Sequence, residues 1–298
     1  MKKDIISNAM TVDVEDYFQV SAFEDIVTRA DWGKYAHRVE VNTHKVLDIF
    51  LEKDVKATFF TLGWVAAKYP GLINRIVAEG HELASHGYYH VRVVNQTPAE
   101  FFDDITRTKS LLEDIGGVEV KGYRAASYSI GESNLWAFDE LEKAGYQYSS
   151  SVYPIKHDLY GMPDAPRFKF YPNVDGRIVE IPVSTAKLFG KTFPSGGGGF
   201  FRFYPYAVSR WALSRMNNKE NQSGMFYFHP WEIDPLQPRM KNASMKAKFR
   251  HYLNLGKMQG RLERLLDDFQ WQRMDEVFLN SLSSDNMVKE ELPSISQR

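Results

Sequence analysis

The sequence predicts an α/β fold built from parallel βα units. Stretches rich in β-forming residues alternate with amphipathic helical stretches through the first half of the chain. Polar clusters follow three of the predicted strands, at residues 13–16, 85–90 and 124–129. In a barrel of such units the carboxyl ends of the strands share one face, where active sites are built, so we expect these clusters to lie together.

Each element is predicted from its local pattern. Runs of β-forming residues predict strands at 9–14, 56–62, 81–85, 118–124, 146–150, 178–183 and 225–228. Amphipathic spacing predicts helices at 39–53, 63–79 (broken near Pro70), 98–115 (with Thr97 as N-cap), 133–144 and 247–269. The glycine-rich run at 195–199 lacks the Lys-Ser/Thr ending of a phosphate loop and predicts a turn or a close backbone approach.

The composition is that of a globular protein. With 298 residues the chain is long enough for one large α/β barrel or two unequal domains. Its 37 basic and 38 acidic residues nearly balance, so the sequence does not indicate nucleic acid or an anionic membrane as a partner. Cysteine is absent, so a metal would have to be held by histidines and carboxylates. We find no signal-peptide pattern and no run near the about 20 apolar residues of a membrane span, and we expect a cytoplasmic protein.

Two histidines four residues apart, His86 and His90, are the sharpest local signal. On one turn of helix both imidazoles would point the same way and could reach one ion. The third ligand should then be a carboxylate. Such a set leaves positions open on Zn²⁺ or a similar divalent metal, as catalysis requires. The alternative is a pair of surface or capping histidines, because such spacings also arise by chance.

Three acids within four residues, Asp13, Glu15 and Asp16, stand at the end of the first predicted strand. They repel one another unless a cation or an arginine compensates them. A solvated loop is the ordinary explanation of such a cluster. Its position after an apolar strand favours burial near the barrel mouth, where one acid could ligate a metal and another could act as a base.

Two more strand ends carry candidate side chains. Arg124 could pair with a carboxylate and keep it ionised, and the alternative is a purely structural ion pair. His229 follows an aromatic strand and would ordinarily be a hydrogen-bonded core group. Its place at another strand end makes it a candidate acid. His81 is interpreted as structural.

The chain resembles the polysaccharide deacetylases of carbohydrate esterase family four. The matching stretches, in the family's order and spacing, are TVDVEDYF (11–18), residues 56–90 ending in SHGYYH, GYRAASYSI (122–130) and MFYFHPWEID (225–234). Other stretches resemble the subfamily linked to exosortase-type exopolysaccharide loci: DVEDYFQVSAF (13–23), HDLYGMPDAPRF (157–168), GGGGFFRFYPY (196–206) and FRHYLNLG (249–256).

The resemblance implies a deformed (β/α)₇ barrel at residues 5–235, a helical C-terminal extension packed on it at 236–281 and a disordered tail at 282–298. It also implies an enzyme that hydrolyses N-acetyl groups of an amino-sugar-containing poly- or oligosaccharide, in exopolysaccharide biosynthesis or modification. The implied cofactor is a divalent metal, Zn²⁺ first and Co²⁺, Ni²⁺ or Mn²⁺ as alternatives. The implied partner is the N-acetylated carbohydrate, and the oligomeric state stays open.

The resemblance also assigns catalytic roles by position. Asp13 would be the general base, Arg124 would orient and charge-balance it, and His229 would be the general acid. The family's Asp-Trp element, which braces that histidine, is not apparent, and Asp158 is the candidate brace. The family's arginine motif continues with proline and an aromatic residue, whereas Ala125 and Ala126 follow here.

The implied ligand set and substrate contacts follow in the same way. His86 and His90 would ligate the metal together with one acid. Val14 stands where related enzymes have the ligating aspartate, so that acid is Glu15 or Asp16, and a spacing of two favours Glu15. The residues expected to contact the substrate are Tyr128, Trp231 and Ser127.

Two other functions compete with this one. The same scaffold could hydrolyse a small cyclic amide or ureide, or the chain could be a non-catalytic carbohydrate-binding relative. Aromatic residues at 199–206 and 226–231 favour a sugar over a small cyclic amide. The complete set of candidate base, acid and metal ligands argues against binding alone, which requires none of them.

Overall fold

The computed structural model describes residues 6–157, 161–173 and 176–279. Within these ranges, eight strands form one sheet whose pairings are all parallel, and two more form an antiparallel hairpin. The predicted α/β fold class is confirmed.

The strands are β1 (Ser7–Val14), β2 (Thr58–Thr61), β3 (Glu82–Ser85), β4 (Gly122–Tyr123), β5 (Tyr148–Ser149), β6 (Val179–Glu180), β7 (Thr185–Leu188), β8 (Lys191–Pro194), β9 (Met225–Phe228) and β10 (Gln270–Gln272). The α-helices are α1 (Val39–Glu52), α2 (Gly63–Lys68), α3 (Pro70–Ala78), α4 (Pro98–Gly116), α5 (Ala137–Lys143), α6 (Gly198–Phe203), α7 (Tyr206–Lys219), α8 (Met245–Tyr252) and α9 (Leu255–Asp268).

Strand β1 has three strand partners in the sheet. It pairs with β2, β9 and β10, and the sheet continues from β2 through β3, β4, β5 and β6. The register sets Val14 opposite Thr61, and Thr61 opposite Ser85. Because all these strands run in the same direction, the residues that follow β1, β3, β4 and β9 come out at one edge.

Alternation along β1 decides which side chains face the site. Met10, Val12 and Val14 pack in the main core with helix residues such as Val46 and Phe50. Ala9, on the opposite face, belongs to a second cluster that includes Phe60 and Tyr148. Successive strand residues point to opposite faces, so Thr11 and Asp13 share the inner face with Ala9.

Several predicted element ends are confirmed. Helices α2 and α3 are separated at Tyr69, next to the predicted break at Pro70. Thr97 caps α4 by accepting a hydrogen bond from the backbone N–H of Glu100.

The predicted strand at 118–124 is shortened to two residues, because Val120 instead hydrogen-bonds to side chains of α4.

The prediction of one helix at 247–269 is wrong. The chain forms α8 and α9, separated by Leu253 and by Asn254, which has a left-handed backbone with φ of 54°. The sequence pattern also missed β10, which pairs in parallel with β1 at residues 7–9. The division of the chain at 235 and 236 stays a prediction, and the predicted tail at 282–298 lies outside the described residues. Across the described ranges, every helix is too short or too polar to cross a bilayer.

Candidate active site

The side chains predicted to act together do meet at the edge of the sheet. Asp13 lies near the end of β1, and its Oδ2 is 3.9 Å from Nε2 of His229, the residue after β9. The same nitrogen is 3.4 Å from Oε1 of Glu15. His86 and Arg124 follow the ends of β3 and β4. The four strand ends therefore build one buried polar centre.

A ligand set suited to a metal lies inside this centre. One side-chain atom each from Glu15, His86 and His90 falls within 4.8 Å of the other two, and all three residues are buried. Nε2 of His90 is 3.2 Å from Oε2 of Glu15. Two imidazoles and one carboxylate are typical of sites that keep positions open on a divalent ion.

The tautomer of His86 fits metal binding. Its Nδ1 is 2.8 Å from the backbone oxygen of Arg124. A carbonyl oxygen can only accept, so Nδ1 carries the proton and Nε2 keeps its lone pair. Burial lowers the pKa of both His86 and His90, which favours the neutral imidazole that a metal requires.

The carboxyl group of Glu15 is buried, and the part of the chain that the structure describes supplies no hydrogen-bond donor for its Oε2. Burial raises the pKa of this carboxyl to about 7, although the nearby His229 opposes the rise. A cation beside Oε2 would stabilise the carboxylate, so the donor set present here fits a divalent metal.

Asp16 has different surroundings. Its Oδ2 accepts hydrogen bonds from the backbone N–H groups of Arg38 (2.7 Å) and Val39 (3.0 Å), and its Oδ1 accepts from Tyr17 (2.9 Å). These bonds tie Asp16 to the N-terminus of α1. Of the two candidate acids, Glu15 is therefore the one that lies with the histidines.

The segment that carries both histidines is not helical, so the prediction of one helical turn is wrong. Residues 86–92 form neither helix nor strand and bend at Tyr88 and Tyr89, with left-handed backbone at Gly87 (φ 69°) and His90 (φ 52°). Asp104 of α4 holds this loop by accepting from the backbone N–H of Tyr88 at 3.2 Å. Arg29 holds it from the other side by donating to the backbone oxygens of Tyr89 and His90. The histidines converge because the loop folds back.

Arg124 is fully buried, and its side chain links the end of β4 to β1. Its Nη1 donates to Oδ1 of Asp13 and to the hydroxyl of Thr11. Its guanidinium also lies over the ring of Phe60, at 3.9 Å from the ring centroid. The guanidinium neutralises Asp13 and fixes the direction of its carboxylate.

Part of the chain matches known families. Residues 23–149 match the family model described as Polysaccharide deacetylase. This part of the chain is similar to that family. Residues 150–279 match a second model, described as a domain of unknown function (DUF3473). The polysaccharide deacetylase range contains His86, His90 and Arg124, while Asp13 and Glu15 precede it.

Curated relatives of the polysaccharide deacetylase part carry related names. A peptidoglycan-N-acetylglucosamine deacetylase of Bacillus cereus is 35% identical over 99 residues, which are 33% of this chain and 36% of that protein. A chitooligosaccharide deacetylase of Bradyrhizobium sp. is 34% identical over 95 residues, 32% of this chain and 43% of that protein. The chain thus spans less than half the length of these relatives.

A solved structure supports the barrel of the polysaccharide deacetylase family. It is the crystal structure of a Mycobacterium smegmatis protein provisionally assigned as a polysaccharide deacetylase, with a TM-score of 0.59 and 21% identity. The match covers 93% of this chain and 90% of that one. At this identity the match shows the fold, a curled parallel sheet of the deformed (β/α)₇ type.

Outside the polysaccharide deacetylase range, His229 has a brace that the sequence analysis missed. Its Nδ1 lies 2.8 Å from Oε1 of Glu232, whose Oε2 accepts from Nε of Arg202 at 2.6 Å. The local signal was available, because Glu232 stands three residues after His229 and also accepts from its backbone N–H. Asp158, the candidate brace, lies outside the described residues.

Charge around His229 favours its protonated form. Burial disfavours the imidazolium, but the carboxylates of Glu15 and Glu232 outweigh burial and raise the pKa of His229 to about 9. Glu232 is itself buried, yet Arg202 and His229 lower its pKa to about 2. The result is a proton held on an imidazole whose Nε2 faces Asp13 and Glu15.

The glycine-rich run makes this brace possible, which confirms the predicted close backbone approach. A Cβ at Gly198 would clash with the carboxylate of Glu232, and one at Gly197 would clash with the ring of Tyr227. Gly196 would meet the backbone oxygen of Met225 at 2.5 Å. Only glycine lets α6 approach β9 and the segment after it so closely.

The residues expected to contact the substrate occupy three different surroundings. Ser127 has left-handed backbone (φ 53°), and its hydroxyl donates to Ser21 at 2.7 Å. Tyr128 is buried, with its ring 4.8 Å from that of Tyr227. Trp231 is buried, and its ring stacks between the rings of His229 and His251. Their assignment to substrate binding stays a prediction.

Proposed function

We propose that the chain hydrolyses N-acetyl groups of an amino-sugar-containing poly- or oligosaccharide, with a divalent metal held by Glu15, His86 and His90. The observation that carries the proposal is the ligand set beside a separate base and acid, Asp13 and His229, whose facing atoms are 3.9 Å apart. Amide hydrolysis requires both a proton acceptor and a proton donor. The names of the curated relatives agree with an N-acetylated sugar as the substrate class.

The metal would supply one part of the chemistry. When bound, a divalent ion at this position polarises an acyl carbonyl and lowers the pKa of a water molecule. We propose Zn²⁺, since two imidazoles and one carboxylate are a common zinc set with open positions. The neutral His86, with Nε2 free, is ready to coordinate.

Asp13 is the proton acceptor in this scheme. Arg124 occupies its Oδ1, which leaves Oδ2 directed toward His229 and the ligand set. Asp13 takes a proton from the attacking water while the water oxygen adds to the acetyl carbon. Arg124 supplies the positive charge that balances the buried carboxylate of Asp13.

His229 is the proton donor. Breaking the C–N bond releases acetate and leaves the electron pair on nitrogen, which must gain a proton because an amide anion is a poor leaving group. His229 gives the proton on Nε2, while Glu232 receives the hydrogen bond from Nδ1 and stabilises the imidazolium beforehand. The sugar amine leaves in neutral form.

We further propose that the substrate is an exopolysaccharide. The support is the resemblance of residues 196–206 and 249–256 to the exopolysaccharide-locus subfamily. The test is acetate release from N-acetylated exopolysaccharide, compared with chitooligosaccharide and peptidoglycan fragments. A higher kcat/KM on the exopolysaccharide is expected, and equal or lower values would remove this part of the proposal.

The central experiment measures acetate release from N-acetylated oligosaccharide by the chain, with and without chelator. We expect turnover that chelation abolishes and Zn²⁺ restores. Asp13→Asn should lose turnover by at least about 100-fold while keeping its metal, because the general base is gone and the ligands remain. Ring opening of a cyclic amide without acetate release, or binding without turnover, would instead indicate one of the competing functions.

A further inference from the structure

Arg202 is a buried cation placed between the candidate active site and the C-terminal helices. It is 2% exposed and lies at the end of α6. Its Nε donates to Oε2 of Glu232, which in turn receives the hydrogen bond from His229. A buried guanidinium with five donors needs several acceptors in fixed directions.

The remaining acceptors are backbone oxygens at the end of α8. Nη1 donates to the oxygens of His251 (2.9 Å) and Leu253 (2.7 Å), and Nη2 donates to that of Arg250 (3.2 Å). We call these three oxygens the carbonyl cradle. The last carbonyls of a helix have no partner within the helix and carry partial negative charge, so they suit a cation.

The break between α8 and α9 belongs to this arrangement. Leu253 and Asn254 leave the helical path, and the oxygen of Leu253 thereby joins the carbonyl cradle. The Asn254 side chain also donates to the backbone oxygen of Arg202 at 2.8 Å. The end of α8 therefore grips both the side chain and the backbone of Arg202.

A second contact joins the same helix to the candidate acid. The ring of Trp231 stacks on His229, with centroids 5.1 Å apart and planes at 18°. Its other face stacks on His251 of α8, at 4.1 Å and 15°. The side chain of His251 is fixed by Gln237, whose Oε1 lies 2.7 Å from its Nε2. His229 is thus held by α8 both through hydrogen bonds and through packed rings.

We propose that residues 245–254 are a positioning part of the active site, acting through Arg202. The carbonyl cradle fixes the guanidinium, the guanidinium fixes Glu232, and Glu232 fixes the ring of His229 with Nε2 toward Asp13. Arg202 is a positioning residue, since it contacts neither Asp13 nor the ligand set. The inference rests on the proposed deacetylation and gives the C-terminal region a role in it.

Arg261 of α9 provides a matched control. It also ties the C-terminal helices to α6, because Nη1 donates to the backbone oxygens of Phe201 (2.8 Å), Arg202 (3.0 Å) and Tyr204 (3.1 Å). It makes no hydrogen bond to Glu232 among the described residues. Arg261→Met therefore loosens the same contact without breaking the connection to His229.

The experiment compares Arg202→Met with Arg261→Met in the full, metal-loaded chain. We expect Arg202→Met to lower kcat by about 100-fold, the size of effect that a misplaced catalytic group produces, with KM and metal content unchanged. Arg261→Met should lower the melting temperature and leave kcat unchanged. Adding Glu232→Gln to Arg202→Met should cause little further loss, because both changes break one series of contacts.

Unchanged kcat in Arg202→Met, or an equal loss in Arg261→Met, would overturn the inference. Arg202→Lys keeps the positive charge but loses the planar set of guanidinium donors, so we expect the same loss of kcat as in Arg202→Met. If neither Arg202 variant folds while Arg261→Met does, Arg202 serves folding and the inference fails.

A readout without turnover separates this inference from the proposed function. In ¹⁵N-histidine protein, the Nδ1–H proton of His229 should give a protected NMR signal, assigned through its absence in His229→Gln. We expect the signal in the wild type and in Arg261→Met, and its loss in Arg202→Met. If this pattern appears but no acetate is released, the proposed function fails while the positioning role of Arg202 stands.

Discussion

Glu15 and Asp16, at the end of β1, have different partners, so their substitutions should affect different properties of the protein. Loss of a residue that only hydrogen-bonds to a metal ligand typically lowers metal affinity by about 10- to 100-fold. Glu15→Gln should lower it by more, because the ligand itself is lost. Asp16→Ala should keep the metal but lower the free energy of unfolding by about 1–2 kcal/mol, because the backbone N–H groups of Arg38 and Val39 lose their acceptor. Metal analysis and urea unfolding check both. Full metal occupancy in Glu15→Gln would exclude it as a ligand.

Gly198 and Gly199 give a matched pair at the start of α6. A Cβ at Gly198 would overlap the carboxylate of Glu232, whereas one at Gly199 meets nothing within 4 Å. Gly198→Ala should lower kcat by about 100-fold with the metal retained, because Glu232 must turn away from His229. Gly199→Ala should keep kcat and raise the free energy of unfolding by about 0.5–1 kcal/mol, as alanine does in a helix. Equal kcat values in the two variants would contradict this account.

At the scale of elements, α4 should control metal binding through the loop at 86–90. Asp104 accepts from the backbone N–H of Tyr88, although burial raises the pKa of Asp104 to about 6. Asp104→Ala should lower metal affinity by about 10- to 100-fold, because the loop that presents both histidines loses one of its two anchors. Calorimetric titration with Zn²⁺ measures the effect. Exposed Asp103 on the same helix is the control, and an equal loss in Asp103→Ala would show a general effect of charge.

Local sequence patterns predicted the ends of helices and strands correctly where neighbouring residues in the sequence determine those ends. The N-cap of α4 and the break before Pro70 are properties of short sequences, and both are found. The loop at 86–90 could not be predicted, because contacts from Arg29 and Asp104 select its bends over a helical turn. The end of α8 at Tyr252 was missed for the same reason, since its carbonyls bond to Arg202, fifty residues earlier in the chain.

At the scale of the whole molecule, the two ranges matched by family models should fold together. They meet at residues 149 and 150. Strand β1, which precedes the first range, pairs with β2 of that range and with β9 and β10 of the second. We expect one unfolding transition by circular dichroism and by tryptophan fluorescence, and no cooperative fold for residues 1–149 alone. A folded, cooperative 1–149 fragment would contradict this expectation.

Trp271 in β10 gives a point test of the same idea. It is buried in the main core with Phe226 and Leu262, and its Nε1 donates to the backbone oxygen of Leu265. Trp271→Ala should lower the free energy of unfolding of the whole chain by about 3–5 kcal/mol, because the cavity lies in the shared core. Loss of only the C-terminal part of the signal would indicate two separate units.

The candidate site was partly predictable for a reason that concerns the whole fold. Parallel strands bring their carboxyl ends to one edge, so the polar residues at the ends of β1, β3, β4 and β9 could be grouped from the sequence alone. The sequence left Glu15 and Asp16 open, because the choice depends on the direction each side chain takes after the strand ends. Arg202 gave no signal, since its partners Glu232 and the carbonyl cradle lie about 30 to 50 residues away along the chain.

Arg124 serves two neighbours with two different parts of itself. Its guanidinium faces Asp13, while its backbone oxygen sets the tautomer of His86. Alanine scanning at this position would erase the first contribution and leave the second untouched, since every amino acid brings the same carbonyl. We therefore expect Arg124→Ala to keep its affinity for a divalent metal and to lose turnover, so that one substitution separates metal binding from hydrolysis.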